Sequence, residues 1–292
     1  MTDCSPLAAL KVHDFATWIA ARFLTRIAAI IGLAVTWLTM LVPTSHAAED
    51  RCIAVASLER PRLVQPATLR LAQLKNGEVR ISYVGHSTFL IESVRGVKIA
   101  TDYNDYVRPS TLPDIATMNR AHSSHFTLAP DPAIRHVLPG WNPAGGVAQH
   151  DVTLDDVRVR NIPTNIRDWQ GGTLEFGNSI FIFEMGGLCI AHLGHLHHTL
   201  SDKQLAQIGQ MDIVLVPVDG SYTLDLPGTI EVLKSLKASL MIPMHYFSTF
   251  TLQRFLDLAK SDYEIKMQTV PTILVSRSTL PSKPQVLVLP GN

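Results

Sequence analysis

Residues 190–200 read IAHLGHLHHTL, an apolar run that ends in His192, His195, His197 and His198. Such a run suits a buried strand, and it commits the loop at the strand's exit to carrying four imidazoles. Imidazole is the commonest protein ligand for zinc and similar borderline metals, so the stretch points to a metal-bearing loop at a strand end. The alternative is a polar loop whose histidines face water.

The flanking sequence says what kind of sheet holds that strand. Short β-rich runs at 79–84, 88–93 and 97–101, parted by Gly85-His86 and Arg95-Gly96, predict an N-terminal β meander. Residues 109–146 are rich in proline, carry His122 and His125, and read as a long functional loop. Strands are expected at 157–162 and 179–184, and Gly186-Gly187 then turns the chain into 188–192 as a hairpin. Ser201-Asp202-Lys203-Gln204 has the form of a capping box and starts a helix to about Ile208. A strand at 213–218, a helix at 229–237, a strand at 240–244, a helix at 252–261 and strands at 272–275 and 285–289 complete the pattern. Strands first and then alternating β and α define an α/β or α+β sandwich with helices outside.

The chain has 292 residues, 46% apolar and 17% charged, with formal net charge zero, which suits one large domain or two small ones. A nucleic-acid partner is excluded, since binding one needs lysine and arginine in excess on one face. Arg22 and Arg26 precede an apolar run at 27–42, and the Ser45-x-Ala47 ending that follows suits signal peptidase. The run is slightly shorter than the roughly 17 to 25 residues of a spanning helix. A cleaved signal peptide over 1–47 is therefore expected, with a signal anchor as the alternative. An extension at 48–76 and one domain at 77–292 follow. The expected location is the bacterial periplasm, with contact to the membrane only through an uncleaved N-terminal segment. There Cys52 and Cys189 would either pair or leave Cys189 as a buried thiol.

Histidines recur at the ends of apolar strands: His122 and His125, the cluster from His192 to His198, and His245 in the IPMHY of 242–246. GHSTFLIES at 85–93, HLGHL at 192–196, DIVLVPV at 212–218 and IPMHY together resemble the metallo-β-lactamase superfamily. More narrowly they are similar to its branch of L-ascorbate-6-phosphate lactonase and related predicted metal-dependent hydrolases. The resemblance spans about 79–246 and implies a four-layer αββα sandwich. It also implies a small-molecule substrate, a lactone, ester or phosphoester, attacked by metal-bound hydroxide.

The family's His-x-His-x-Asp-His signature falls on Arg120-Ala121-His122-Ser123-Ser124-His125, so two of its four ligand positions are changed. The family's next histidine falls near Asn165, and its bridging aspartate falls on His195. What remains as a ligand set is His122, His125, His195 and His245, four nitrogen donors suited to one Zn2+ rather than two, or to another divalent transition metal. His86, in the turn after the first strand, and Asp102, closing the third, would orient ligands. Arg120 would take an anionic substrate group or pair with Asp114, and His198 would line the pocket. The alternative function is a non-catalytic binding protein of the same fold with a degenerate or structural metal site.

Overall fold

The structure, a computed structural model, describes residues 73–168 and 170–291. The expected signal segment, most of the extension, Cys52 and Trp169 lie outside the described residues.

The meander begins with β1 (Val79–Gly85), β2 (Thr88–Glu92) and β3 (Lys98–Ala100), followed by β4 (Ile115–Met118), β5 (His136–Pro139) and β6 (Asp151–Leu154). Then come β7 (Val157–Arg167), β8 (Thr173–Met185), β9 (Leu188–His192), helix α1 (Asp202–Ile208), β10 (Ile213–Pro217) and helix α2 (Leu226–Leu236). The chain closes with β11 (Leu240–Met244), helix α3 (Thr249–Ala259), β12 (Glu264–Met267), β13 (Thr272–Val275) and β14 (Gln285–Val288).

These strands form two sheets. One has six strands in the order β13-β1-β2-β3-β4-β5, the other eight in the order β12-β14-β11-β10-β9-β8-β7-β6. Alternating burial along β1 shows why they stack: Val79, Ile81 and Tyr83 point inward while Arg80, Ser82 and Val84 are only partly covered. Ile81, Phe89, Ile91 and Ile99 of the smaller sheet meet Phe181, Phe183, Ile190, Leu215 and Ile242 of the larger. The opposite face of the larger sheet, with Ile180, Ile182, Ala191, Val214 and Met241, is covered by Ile230, Leu233, Phe255 and Leu256 of α2 and α3. On the outer face of the smaller sheet Ala100, Tyr103, Ala116, Met118 and Ile134 are closed over by Phe126 and Trp141 from the loops. Trp141 packs edge-on against Phe126 and so belongs to this layer. The architecture is the mixed α/β two-sheet sandwich expected from the sequence. Among the described residues no helix is long and apolar enough to cross a membrane.

Local chemistry sets several boundaries. Gly186 and Gly187 both have positive φ, 57° and 73°, which the two-residue turn between Met185 and Leu188 requires. The expected capping box at Ser201 and Gln204 is present at the start of α1. Helix α2 starts three residues earlier than the expected 229, because Asp225 caps it and Pro227 sits in its first turn.

Residues 109–146 are not simply loop: they contain β4 and β5, parallel to each other and, through β4, to β3. All four residues of β4 are buried, so it shows no alternation, and both strands are short and set among prolines. Strands β6 and β12 are missed too, and β7 and β8 run to 11 and 13 residues, longer than expected.

Because β3 and β4 run parallel, as do β9, β10 and β11, their carboxyl ends gather at one edge. The loops leaving those ends carry Asp102, His122 and His125, His195, Asp219 and His245. Phe183, fully buried between the sheets, is expected to cost about 3–5 kcal/mol when changed to Ala, read as a lower urea midpoint at an unchanged m-value.

Candidate metal centre

Six strand ends build the centre. His86 follows β1, Asp102 follows β3, His125 ends the short 3-10 turn Ser123–His125 after β4, His195 follows β9, Asp219 follows β10 and His245 follows β11. His86, Asp102 and His245 all hold left-handed backbone, with φ of 51°, 43° and 56°. For residues other than glycine this conformation costs energy and concentrates at functional sites. It persists here because other bonds fix it: the His245 amide donates to the His86 carbonyl at 2.7 Å, tying the edges of the two sheets together.

Two of the inner imidazoles are held from behind. His125 Nδ1 donates to Asp102 Oδ2 at 2.5 Å, and His245 Nδ1 donates to Asp219 Oδ1 at 3.0 Å. With both Nδ1 protons so engaged, the two Nε2 atoms face each other at 3.1 Å. Two nitrogen lone pairs at that distance repel unless a cation lies between or beside them, a shared proton or a metal ion. His86 completes a set of three whose donor nitrogens lie within 4.8 Å of one another. The rings of His122 and His195 close the circle: His195 lies 4.7 Å from His122, 4.8 Å from His125 and 4.9 Å from His245 between centroids.

The support behind these rings is polar and fully used. Asn119 donates to Asp102 Oδ1 at 2.9 Å and accepts from the Ser179 amide at 2.7 Å. Asn178 accepts from the His195 amide at 2.7 Å and donates to Thr164 and to the Leu193 carbonyl. Gly194, at φ 60°, leaves room for both: a Cβ there would lie 2.4 Å from Asn119 Nδ2 and 2.4 Å from Asn178 Oδ1.

Burial favours the neutral, ligating form of His86, His195 and His245. It pushes His86 down to about 3, aided by His245 and His125, and lowers His195 well below its ordinary value. His245 is lowered by burial despite the opposing bond to Asp219. Burial works against the Asp219 carboxylate, but hydrogen bonds from His245 and Thr223 overcome it and hold the group below the usual range.

The residues expected from sequence take unequal places. His125, His195 and His245 are brought together in the buried centre. His122 is at its exposed mouth, and His86, expected as a supporting residue, stands in the inner set of three. Asp102 orients His125. Arg120 is exposed, and Asp114 pairs with Arg135 rather than with it. His198 is exposed, whereas His197 turns inward to meet His195 Nδ1 at 2.7 Å. His192 belongs to the frame, its Nε2 bonded to the Ser87 carbonyl and its Nδ1 to the Gly194 amide. Asn165 accepts from the Phe176 amide where β7 is irregular. Asp219 was missed, although its signal was visible: an aspartate before glycine at the end of an apolar strand. Asn119 and Asn178 gave no signal.

A cleft of about 500 Å³ opens over this centre, lined by His86, His122, Ser124, Tyr222, His245 and Phe247. Ser124, which stands at a changed ligand position, lies 3.0 Å from His86 Nε2. Tyr222 and Phe247 are more than half exposed and stand 5.5 Å apart, ring to ring.

Two stacked sheets with histidines and aspartates gathered at one edge define a metal-binding sandwich. Residues 80–245 match the model of the beta-lactamase superfamily domain, and the chain belongs to that family. Among its relatives are UPF0173 metal-dependent hydrolases of Archaeoglobus fulgidus, 26% identical over 60% of this chain and 85% of that protein, and of Thermoplasma acidophilum, 28% identical over 60% and 86%. The fold is similar to a Thermotoga maritima protein described as a Zn-dependent hydrolase of the metallo-β-lactamase superfamily, with a TM-score of 0.53, 28% identity, and coverage of 72% of this chain and 97% of that one.

The lowered imidazoles give a test by pH. His86 and His197, at about 3 and about 4 in the folded protein, titrate near 6.5 when unfolded, so below that value the unfolded chain binds more protons. Asp219, also lowered, acts in the same direction. Chelator-treated protein is expected to lose stability steadily from pH 6.5 to pH 4, read as a falling urea midpoint. A flat midpoint across that window contradicts the reading.

Proposed function

We propose that this protein is an exported metal-dependent hydrolase acting on a neutral ester or lactone. The observation that carries the metal is the 3.1 Å approach of His125 Nε2 and His245 Nε2, each with its other nitrogen committed to an aspartate. Nitrogen donors of this kind suit zinc, or another divalent transition metal, and a single ion suits a set with no inner carboxylate ligand. His125, His245 and His86 would hold it, with His122 at the mouth. Bound there, the ion supplies Lewis acidity and lowers the pKa of water toward neutrality.

The chain's own residues do the rest. Asp102 and Asp219 fix the tautomers of His125 and His245, the outer support that metal-ligating histidines require. Tyr222 and Phe247 offer aromatic faces to an apolar part of the substrate. Among the described residues the cleft lining contains no lysine or arginine, which favours a carboxylic ester or lactone over a phosphoester.

Export is supported by the signal-like segment and by Cys189, which is disulfide-bonded. A disulfide persists in an oxidising compartment. The substitutions at Arg120 and Ser124 favour the second reading, a binding protein that kept the fold without the chemistry.

Metal analysis of the full chain, with nitrophenyl ester, lactone and nitrophenyl phosphate substrates, separates the two. About one zinc per chain and turnover of esters or lactones is expected, with His245→Ala losing both metal and at least a hundredfold in kcat/KM. Stoichiometric zinc without turnover on any substrate favours the binding protein, and no zinc removes the metal reading.

A further inference from the structure

Arg167 lies at the end of β7, and its guanidinium reaches toward the far side of the histidine cluster. Its Nε donates to His197 Nδ1 at 2.9 Å, and its Nη2 donates to the carbonyls of Ser221 and Thr223. A guanidinium has only donors, so His197 Nδ1 is the accepting nitrogen and carries no proton. With Nδ1 accepting, Nε2 is the one ring nitrogen of His197 that carries a proton.

The next ring follows by the same logic. His197 Nε2 lies 2.7 Å from His195 Nδ1, and with the proton on Nε2 the bond runs from His197 to His195. His195 thus accepts at Nδ1, which leaves Nε2 as the nitrogen that carries its proton. That atom is buried and has no hydrogen-bond partner among the described residues. It faces the space enclosed by His122, His125 and His245, whose rings meet the His195 ring nearly edge to face.

His195 therefore differs in kind from His125 and His245. An aspartate at Nδ1 leaves those two rings with a lone pair on Nε2, which is what a metal needs. An arginine at the head of a chain of two imidazoles leaves His195 with a hydrogen there, which a metal does not accept. We infer that His195 is not a metal ligand but a hydrogen-bond donor, fixed as its Nε2–H tautomer by Arg167 and His197, and that it donates to the substrate oxygen that gains negative charge during hydrolysis. A donor already aligned in a dry site stabilises developing charge without reorganising. Arg167 and His197 are positioning residues in this scheme. The inference rests on the hydrolase reading above, since it assigns the donor to that reaction.

The test reads the tautomers directly. In full-length protein labelled with 15N-histidine, long-range 1H–15N spectra distinguish Nδ1–H from Nε2–H rings. His195 and His197 are expected as Nε2–H, and His125 and His245 as Nδ1–H. Adding zinc is expected to move the Nε2 resonances of His125 and His245 and leave His195 protonated at Nε2. A His195 ring protonated at Nδ1, or one whose Nε2 becomes metal-bound on adding zinc, overturns the inference.

A second measurement uses variants. His195→Phe is expected to keep the zinc stoichiometry of the native chain while kcat falls about 100- to 1000-fold with KM within about threefold. His195→Gln, which restores an N–H donor, is expected to recover part of kcat. Loss of zinc from His195→Phe that still takes up urea-sensitive native structure counts against the inference. Native protein that binds no zinc counts against the hydrolase reading instead, and the spectra of the metal-free protein still decide the tautomer of His195.

Discussion

The approach of His125 Nε2 to His245 Nε2, 3.1 Å apart, is the constraint on which the site depends. It exists because each ring has its other nitrogen bonded to a buried aspartate, so neither can turn its proton inward to relieve the contact. A protein keeps two lone pairs this close only where a cation offsets their repulsion. Everything around the pair serves to hold it: Asp102 through Asn119, Asp219 through Thr223 and the amides of Ser221 and Tyr222.

The fold supplies the approach by bringing two sheets to one edge. His125 comes from the smaller sheet and His245 from the larger, and the bond between the His245 amide and the His86 carbonyl sets their spacing. The large shared core between the sheets offsets the left-handed backbone at His86, Asp102 and His245. Gly194 admits Asn119 and Asn178 side by side, so that the loop after β9 is seated against the loop after β4. The same edge thus presents two kinds of imidazole. His125 and His245, backed by carboxylates, offer lone pairs, and His195, backed by His197 and Arg167, offers a proton.

Much of the fold was legible because its signals are local. The Gly186-Gly187 turn, the Ser201 capping box and the strands 240–244 and 272–275 all appear where the sequence puts them. Strands β4 and β5 were hidden because a short, fully buried strand among prolines carries no period to read. The site was legible in residue type more than in role. Histidines at strand ends announced a metal, but nothing in the spacing says that His86 stands among the inner three, that Asp219 backs His245, or that His197 rather than His198 turns inward. Those facts depend on which way a loop turns after its strand, and backbone angles such as the positive φ of His86 and His245 are set by contacts far away in sequence.

X-ray absorption of the zinc-loaded full chain reads out whether imidazoles at this edge hold the metal ion. A first shell containing two or three imidazole nitrogens at about 2.0 to 2.1 Å, with the outer-ring scattering that histidine gives, is expected. A first shell of oxygens without imidazole scattering would contradict it.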